Sequence, residues 1–400
     1  MPEIVAFVGE TFNEVDGSYY ATPTSAAFLQ DCFGQDNVKV CSPVDKLANP
    51  ERLSIQKSST CVSKKRFYIP PLPANCTTKD FYKNALLRPG FFRSFINFCD
   101  EVIAENPHAL FWARTPSPGS IIFALRVIKA GKPLLHHICG DARHTWKDRK
   151  YRGINKLLAL VFSFIVRLQI NYICKYEGAV NLASGSELEK WAKTKAPSRT
   201  HQFVDMMTKS KSVTSKQSQS LKTILFVGRV VHDKGVFEIL EAMGAHPHIS
   251  LTVVGEGPDL EQVKAVVAES PTLKSRVKFE GQVAFNKLPK YFESADCVVI
   301  ASKTNEGFPR VIMESWVHKT PLIVSQVGGI SAFVKDKYNA VVVKPGSPKE
   351  IAEAFTYLSV EENYQQIKDG VDDMVQYSLQ SYWVAQLKDI VNDNFKDEAF

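Results

Sequence analysis

Residues 297–316, CVVIASKTNEGFPRVIMESW, contain the pattern that decides the fold class. The run CVVIAS is apolar and β-branched like a buried strand, TNEGFP has the composition of a loop, and RVIMESW has helical spacing. Strand, short loop and helix in this order form the repeating unit of parallel α/β sheets. The same alternation recurs along the chain and predicts an α/β fold. Further strands are predicted at 4–9, 37–42, 109–114, 133–138, 179–184, 223–229, 250–255, 276–281, 321–325 and 340–343.

Two glutamates flank the loop in this stretch. Glu306 lies just beyond the carboxyl end of the predicted strand, where open α/β sheets bind ligands. Pro309 suits the first helical turn, so Glu314 lies little more than one turn inside the helix. The N–H groups of Gly307 and Phe308 suit an anionic or hydroxyl-rich group beside them. The two acids can bracket one elongated ligand; two ordinary solvated glutamates are the alternative.

A second pair of charged residues follows another predicted strand. The strand TILFVGR ends with Arg229, and HDKG places Lys234 in the loop that opens the next predicted helix. A guanidinium and an ammonium beyond a strand end, near a helix N-terminus, form a site for a diphosphate. A pair of surface cations without a ligand is the alternative.

A polar segment divides the chain. Residues 209–222, KSKSVTSKQSQSLK, are basic and serine-rich, which is typical of an interdomain connection. A surface loop inside one domain is the alternative, but a chain of 400 residues is too long for one ordinary core. The predicted organisation is a domain over 1–207, a linker over 208–222, a second domain over 223–375 and a C-terminal helical segment over 376–400.

Composition narrows the classes of partner. The formal charge of +7 favours partners that carry phosphate, although dispersed basic residues without a reader motif give nucleic acid little support. The eight cysteines form no CxxC pair, which argues against a zinc site or a disulfide framework. The start MPEIVAFVGETF has no secretory leader pattern, so a cytoplasmic location is expected. No DxD triplet occurs, and no metal site is predicted.

Residues 224–350 resemble the donor-nucleotide domain of the family 4 retaining glycosyltransferases, which have the GT-B architecture. The resemblance is carried by FVGRVVHDKG, LTVVGEGPDLEQV, VKFEGQV, EGFPRVIMESW and TPLIVSQVGGI, in this order. It implies two Rossmann-like, doubly wound domains that face each other across a cleft. The first domain would bind the acceptor, the second would bind the nucleotide sugar, and the final helix would cross back to the first.

The resemblance also implies a role for each matching residue. Arg229 and Lys234 look like the pair that holds the donor diphosphate and stabilises negative charge as the nucleotide leaves. Glu306 resembles the acid that contacts the transferred sugar, and Glu314 the acid that binds the ribose. Val283 is similar to the position whose backbone contacts the base. The remaining predicted substrate-binding residues of this domain are Gly307, Phe308 and Pro309.

The first domain carries weaker signals. After its first strand, ETFNEVDGSYY offers only Gly17 where the resemblance implies a glycine-rich substrate-binding turn. In PLLHHICGDARHTWKDRK, His137 could hydrogen-bond a sugar hydroxyl, and Asp141 could orient the acceptor or receive its proton. His136 has the same position relative to the strand end. Structural roles for the histidines are the alternative.

The segment 147–175 combines basic residues with an apolar helical stripe. The helix is expected to bury this stripe against the sheet; docking on an anionic membrane surface is the alternative. In the second case the acceptor would be lipid-linked and the protein peripheral at the inner face of a membrane. The stripe consists of Leu158, Val161, Phe162, Ile165, Leu168 and Tyr172.

The resemblance implies a retaining glycosyltransferase that moves a sugar from a UDP- or GDP-sugar to a hydroxyl of a saccharide or lipid-linked saccharide, and the lack of a DxD triplet adds the expectation that no metal takes part. The context would be assembly of surface polysaccharide or glycolipid, with no cofactor besides the nucleotide sugar. The alternatives are a nucleotide-sugar epimerase of GT-B fold and an inactive nucleotide-binding module. A dinucleotide-binding oxidoreductase is a weaker rival, because VVGEGPDL has Leu260 in place of the third glycine.

Overall fold

The structure is a computed structural model that describes residues 2–45, 60–73, 76, 78–147, 151–209, 218–304 and 307–396. The chain divides into two units. Unit 1 comprises Met1–Met207 and Trp383–Phe400, and unit 2 comprises Thr208–Tyr382. The second boundary between the units therefore falls inside the predicted C-terminal segment.

Unit 1 is built around a seven-stranded parallel sheet with the order β11-β10-β9-β8-β1-β4-β7. Its central strands β1, β8 and β9 are buried along their length except at half-buried Arg114, because helices cover both faces of the sheet. The order of the sheet reverses between β1 and β8. The strands are β1 (Ile4–Phe7), β4 (Val38–Cys41), β7 (Phe67–Tyr68), β8 (Leu110–Thr115), β9 (Leu134–Ile138), β10 (Ala179–Ala183) and β11 (Thr200–Gln202).

Six α-helices within the described ranges of unit 1 surround this sheet, and α4 illustrates how one of them begins. Ser117 accepts a hydrogen bond from the N–H of Ser120 at the start of α4, and Pro118 supplies the fixed φ of the first turn. The helices are α1 (Ser25–Phe33), α2 (Thr78–Leu87), α3 (Pro89–Glu105), α4 (Pro118–Lys129), α5 (Ile154–Lys175) and α6 (Ser186–Lys193).

A small second sheet, which the sequence pattern did not predict, follows β1. It has the order β5-β2-β3-β6, and β2 and β3 form an antiparallel hairpin. Asp16 and Gly17 make the hairpin turn with φ angles of 51° and 74°, the positive values that a two-residue turn between twisted strands needs. The strands are β2 (Phe12–Val15), β3 (Ser18–Ala21), β5 (Val44–Asp45) and β6 (Thr60–Ser63).

Unit 2 contains a six-stranded parallel sheet with the order β14-β13-β12-β15-β16-β17. Numbered within the unit this is 3-2-1-4-5-6, the order of a dinucleotide-binding Rossmann sheet. The predicted α/β fold with parallel sheets is therefore confirmed. The strands are β12 (Thr223–Val227), β13 (Ser250–Val254), β14 (Val277–Gly281), β15 (Cys297–Ile300), β16 (Leu322–Ser325) and β17 (Val341–Val343).

In the described part of unit 2, the first five helices lie between successive strands from β12 to β16, and the last three follow β17. Asp296 anchors the start of the sheet, because its buried carboxylate accepts from the N–H groups of Lys222 and Thr223. The last helix, α14, contains the boundary between the two units. The helices are α7 (Val236–Ala242), α8 (Leu260–Glu269), α9 (Pro271–Lys274), α10 (Pro289–Ser294), α11 (Arg310–Val317), α12 (Pro348–Leu358), α13 (Glu361–Met374) and α14 (Gln380–Asn394).

The prediction that α5 buries its large apolar stripe is wrong. Five of the six stripe residues are exposed, and Phe162 is half-buried. The opposite side of the helix, which carries smaller side chains, packs against the unit. The residues on this buried side are Ala159, Ser163, Val166, Ile170, Ile173 and Cys174.

Candidate functional site

The candidate site lies at the carboxyl edge of the unit 2 sheet, where its strand order reverses. β12 and β15 are neighbours, with Ile224 paired to Cys297 and Leu225 paired to Val298. The chain leaves these two strands toward opposite sides of the sheet, which opens a crevice beyond their ends. Among the described residues, the predicted unit 2 site residues other than Val283 and Glu314 lie between one of these two strands and the helix that follows it.

The loop after β12 carries both predicted diphosphate ligands. Arg229 is exposed and follows Gly228 directly after the strand. Lys234 is half-buried and ends a short 3-10 turn, His232–Lys234, from which α7 then begins. Two cations five residues apart therefore lie on one short loop at the strand edge.

This loop is locked to the loop after β15. Gly235 has a φ of 75°, and a Cβ atom there would lie 2.0 Å from the carbonyl oxygen of Ala301. The N–H of Lys303 donates to the carbonyl of Asp233 at 2.8 Å, and the Lys303 ammonium contacts Glu238 at 2.7 Å. The position of Lys234 is therefore fixed relative to the residues that follow β15.

The glycines after β13 have a packing role. A Cβ atom at Gly255 would lie 1.9 Å from the Gly228 carbonyl oxygen, and one at Gly257 would lie 2.1 Å from that of Val230. Glu280, which a dinucleotide reading would assign to a ribose, instead contacts Lys278 at 2.5 Å and accepts from the Tyr291 hydroxyl at 2.9 Å. The close packing of Gly255 and Gly257 and the protein partners of Glu280 therefore explain this motif without a bound dinucleotide.

The Gly-Phe-Pro segment is buried between two structural contacts. The carbonyl of Gly307 accepts from the N–H of Gly329 at 2.9 Å. The ring of Phe308 packs edge-on against Phe333 with 5.1 Å between centroids. Pro309 precedes α11 as its extended cap residue, so the expectation that it lies within the first helical turn is wrong by one position. Glu306 lies outside the described residues, and its role stays a prediction.

Glu314 is the fifth residue of α11 and lies a little more than one turn inside it, half-buried. Burial raises the pKa of its carboxyl above the ordinary glutamate value, and the charge of Arg310, one turn earlier, opposes the rise. A partly desolvated carboxylate gains when a ligand hydroxyl donates to it. This environment differs from that of a solvated helix glutamate.

We expect Glu314→Gln to stabilise the unliganded protein at neutral pH by about 1 kcal/mol or less, because the amide removes a partly buried charge. For a carboxyl with a raised pKa, the stability contribution is present below the ordinary pKa and is lost as pH rises through the raised one. The advantage of the variant should therefore appear near neutrality and vanish in acid. Thermal unfolding at several pH values measures it.

Glu241→Gln is the matched control, because Glu241 is an exposed glutamate of α7. It should leave the thermal midpoint within error at every pH. A lower midpoint for Glu314→Gln than for the wild type at neutral pH would contradict the assigned cause.

Val283 and Gly17 are found in loops. Val283 is half-buried, two residues beyond the end of β14, at the same carboxyl edge of the unit 2 sheet. Gly17 is exposed at the tip of the hairpin between β2 and β3, ten residues after the end of β1 in the chain. The hairpin turn accounts for the glycine, so the expected substrate-binding turn is not formed by this residue.

The two adjacent histidines of unit 1 lie inside β9 and are fully buried. His136 contacts Thr115 at 3.0 Å and Asn181 at 2.9 Å, and burial lowers its pKa to about 4. His137 contacts the Ser184 hydroxyl at 3.0 Å and packs against Trp112 and Phe203. The expectation that His137 faces a sugar hydroxyl from the strand end is therefore corrected: its ring belongs to the core.

Asp141 is engaged by Arg143 through two side-chain hydrogen bonds of 2.8 and 2.7 Å and one from the Arg143 N–H of 2.9 Å. Burial alone would raise the pKa of this carboxyl, but the hydrogen bonds and charge of Arg143 outweigh it and hold the pKa below its ordinary value. A carboxylate with a lowered pKa is a weak proton acceptor. The expected proton-accepting role of Asp141 is therefore disfavoured.

Sequence reasoning missed a charged cluster at the reversal point of the unit 1 sheet. Glu10 follows β1, and its carboxylate accepts from the N–H of Ala26 at 3.3 Å. Burial raises the pKa of Glu10. Asp205 accepts from the Ser25 hydroxyl at 2.8 Å and lies 4.0 Å from the guanidinium of Arg114. The sequence feature that could have indicated this cluster is Glu10, an acidic residue shortly after the first predicted strand.

Within the described ranges, no group of three or more His, Cys, Asp and Glu side chains is arranged to hold a metal ion. The metal-independent character of the protein stays a prediction. The eight cysteines carry no disulfide in the structure.

Residues 208–369 match the family described as Glycosyl transferases group 1. The chain is 34% identical over 134 residues to an uncharacterized glycosyltransferase of Methanocaldococcus jannaschii, covering 33% of this chain and 34% of the relative. It is 31% identical over 154 residues to TuaC of Bacillus subtilis, a glycosyltransferase provisionally named for teichuronic acid biosynthesis, covering 38% of this chain and 37% of TuaC. The match thus spans about a third of the length of these curated relatives.

Solved structures extend the likeness to the whole chain. The crystal structure of Anabaena HepE in complex with UDP and glucose superposes with a TM-score of 0.67 at 16% identity, covering 98% of this chain and 100% of HepE. At this identity the likeness shows the fold, and it agrees with the GT-B architecture expected from the sequence.

Proposed function

We propose, from the premise that residues 208–369 form a glycosyl transferases group 1 domain, that this protein is a retaining glycosyltransferase. It moves a sugar from a UDP- or GDP-sugar to a hydroxyl of a saccharide or lipid-linked saccharide. Unit 2 binds the nucleotide sugar, and unit 1 binds the acceptor.

One observation carries the proposal: Arg229, Lys234 and the Gly307–Pro309 segment belong to the loops after β12 and β15, and Glu314 belongs to the helix α11 that follows the second of these loops. Those two strands are the pair at which the sheet order reverses. The site therefore combines two cations for a diphosphate with backbone N–H groups and a carboxylate for hydroxyls. HepE, which shares the fold, was crystallised with UDP and glucose.

In the proposed reaction, the bond between the anomeric carbon and the diphosphate oxygen breaks, and a bond from that carbon to the acceptor oxygen forms with retained configuration. Negative charge develops on the departing diphosphate. Arg229 and Lys234 stabilise this charge without a metal, and fixed donors of this kind supply a large part of enzymatic rate enhancement. Glu306 contacts the transferred sugar, Glu314 the ribose, and the backbone at Val283 the base.

The proposed context is assembly of surface polysaccharide or glycolipid at a cytoplasmic or inner-membrane location. The name of TuaC, which refers to teichuronic acid, supports a polysaccharide acceptor. The formal charge of +7 supports contact with phosphate-bearing molecules, either the nucleotide sugar or an anionic membrane surface.

A thermal-shift screen against UDP, GDP, ADP and NAD tests the proposal, because a ligand of the folded state raises its stability by mass action. We expect one of UDP and GDP to raise the midpoint of the unit 2 transition by about 5 to 11 °C at a hundredfold excess over Kd. The matching nucleoside monophosphate should shift it less, since it lacks the second phosphate. An increase of the thermal midpoint with NAD alone would contradict the proposal.

The cognate donor is then incubated with and without candidate acceptors, and the anomeric configuration of the product is read by NMR. Transfer with inversion would remove the retaining assignment. Conversion of the donor sugar without any acceptor would replace transfer by epimerisation. Nucleotide binding without turnover of any donor would identify the protein as an inactive nucleotide-binding module.

A further inference from the structure

Helix α5 presents an apolar face to solvent. Nine large apolar side chains on this helix are exposed, with exposed fractions from 36% to 74%. Most globular helices direct such side chains inward and place polar residues outside. The exposed residues are Ile154, Leu157, Leu158, Leu160, Val161, Phe164, Ile165, Leu168 and Tyr172.

The opposite face of α5 is packed into unit 1. Its buried residues recur at spacings of three and four from Ala159 to Ile173, so they form one continuous side of the helix. Small residues such as Ala159 and Ser163 allow close packing, and the Ser163 hydroxyl lies 2.8 Å from that of Thr145. The exposed apolar side is therefore held outward by the packing of the other side.

Helix α2 extends this surface. Tyr82 stacks on Phe162 of α5 with 4.8 Å between ring centroids, which places the two helices side by side. Leu86 lies one turn beyond Tyr82 and is 81% exposed; Leu87 is 65% exposed. The exposed apolar residues of α5 together with Leu86 and Leu87 form one surface, which we call the apolar face. An exposed apolar surface of this extent is typical of an interaction site.

Basic residues are the commoner charged residues on and next to these two helices, although α2 also carries the exposed Asp80. Helix α5 contains no acidic residue. Exposed lysines and arginines occur on both helices, in the short segments next to them and on the first turns of α3. These residues are Lys79, Lys83, Arg88, Arg93, Arg152, Lys156, Arg167 and Lys175.

We propose that the apolar face docks unit 1 onto a membrane surface that contains anionic phospholipid. Exposed leucines and a phenylalanine enter the interface, while the neighbouring basic side chains meet lipid phosphates. The charge pattern favours this occupant over a second copy of the chain, because two copies would bring the same basic residues together.

The helix lies along the membrane surface and does not cross the bilayer. Among the described residues, α5 is a helix long and apolar enough to span a membrane by length and composition. However, a third of its apolar stretch is buried in unit 1, and Arg167 interrupts it. A spanning helix would have to remove its buried face from the core of unit 1.

Vesicle flotation of the full-length protein tests the proposal. The protein is mixed with vesicles of phosphatidylcholine alone or of phosphatidylcholine and phosphatidylglycerol in equal parts, without donor or acceptor, so the result does not rest on the proposed transferase activity. We expect flotation with the anionic vesicles, weakened by high salt. Leu157→Glu/Leu168→Glu should reduce it at least about tenfold, and Lys156→Gln/Arg167→Gln about tenfold.

Val266→Glu and Val360→Glu are matched controls, because these apolar residues are exposed on unit 2. Both should float like the wild type, and the thermal midpoints of all variants should agree within about 2 °C, since exposed positions contribute little to stability. The floated fraction of the wild-type protein with anionic vesicles is then treated with alkaline carbonate, which should release the protein from the vesicles.

Three outcomes would overturn the proposal. Equal vesicle binding by the wild type, Leu157→Glu/Leu168→Glu and Lys156→Gln/Arg167→Gln would show that the apolar face is not the docking site. A dimer in light scattering that Leu157→Glu/Leu168→Glu converts to a monomer, without vesicle binding by the wild type, would make it a contact between copies. Retention on the vesicles after carbonate would indicate a spanning helix.

Discussion

Arg229→Ala and Lys234→Ala are each expected to lower kcat by about two to three orders of magnitude, the usual effect of removing a group that stabilises developing charge. The physical reason is that both cations lie on the loop after β12, at the point where the order of the sheet reverses. In the proposed reaction, the diphosphate of the donor departs from the sugar at this point and gains negative charge. KM for the donor should rise less than kcat falls, because the charge on the diphosphate grows in the transition state.

Steady-state transfer assays with the cognate donor measure these effects, beside thermal unfolding of each variant. Lys264→Ala is the control, because Lys264 is an exposed cation of the same unit, on α8, paired with Glu261 at 2.8 Å. Arg229→Lys should recover part of the activity, since it keeps the charge and loses the forked geometry of the guanidinium. Near-normal kcat in both alanine variants would refute the assignment of the diphosphate site.

Gly235→Ala is expected to destabilise unit 2 by at least about 3 kcal/mol, as for severe overpacking in a rigid site. The new Cβ would lie 2.0 Å from the Ala301 carbonyl oxygen and 2.7 Å from the Ala301 Cβ. Backbone atoms of a buried strand end cannot move aside as a flexible side chain can. The φ of 75° adds strain for any residue with a Cβ.

Calorimetric unfolding measures the loss as a fall of about 6 to 12 °C in the midpoint of the transition that belongs to unit 2. Gly244→Ala is the matched control, because no atom lies within 4 Å of the Cβ position at this glycine and its φ is not in the left-handed region. An unchanged midpoint for Gly235→Ala would show that the loops after β12 and β15 are not locked together as described. The affinity of Gly235→Ala for UDP or GDP would report whether the contact between these two loops also positions Lys234.

The order of strands and helices was predictable because hydrophobic periodicity reports local structure directly. Each strand predicted from an apolar run is present, including β12 and β15, whose ends carry the candidate site. The residues after those strands could also be named from sequence, because a strand end followed by Gly, Pro or a charged residue marks a loop. Short edge strands such as β7 and the hairpin β2–β3 were not predicted, since two to four residues carry too little periodic signal.

The roles of individual polar side chains depended on partners distant in the chain. In the sequence, His137 lies near the end of the predicted strand 133–138 and Asp141 three residues beyond it, and nothing near them in the chain distinguishes a ligand from a core residue. His137 is buried by Trp112 and Phe203, and Asp141 is engaged by Arg143. The glycines at 255 and 257 likewise acquire their packing role only from carbonyl groups of the loop after β12.

The sequence alone determined that this chain forms parallel α/β sheets and that Arg229, Lys234, Gly307 and Glu314 belong to strand-end loops or the helix that follows. Those properties depend on residues close together in the chain. Tertiary structure decided which face of α5 is buried, because both faces of this helix are apolar and periodicity cannot rank them. The face with smaller side chains packs more closely against unit 1, and the larger side chains are left facing solvent.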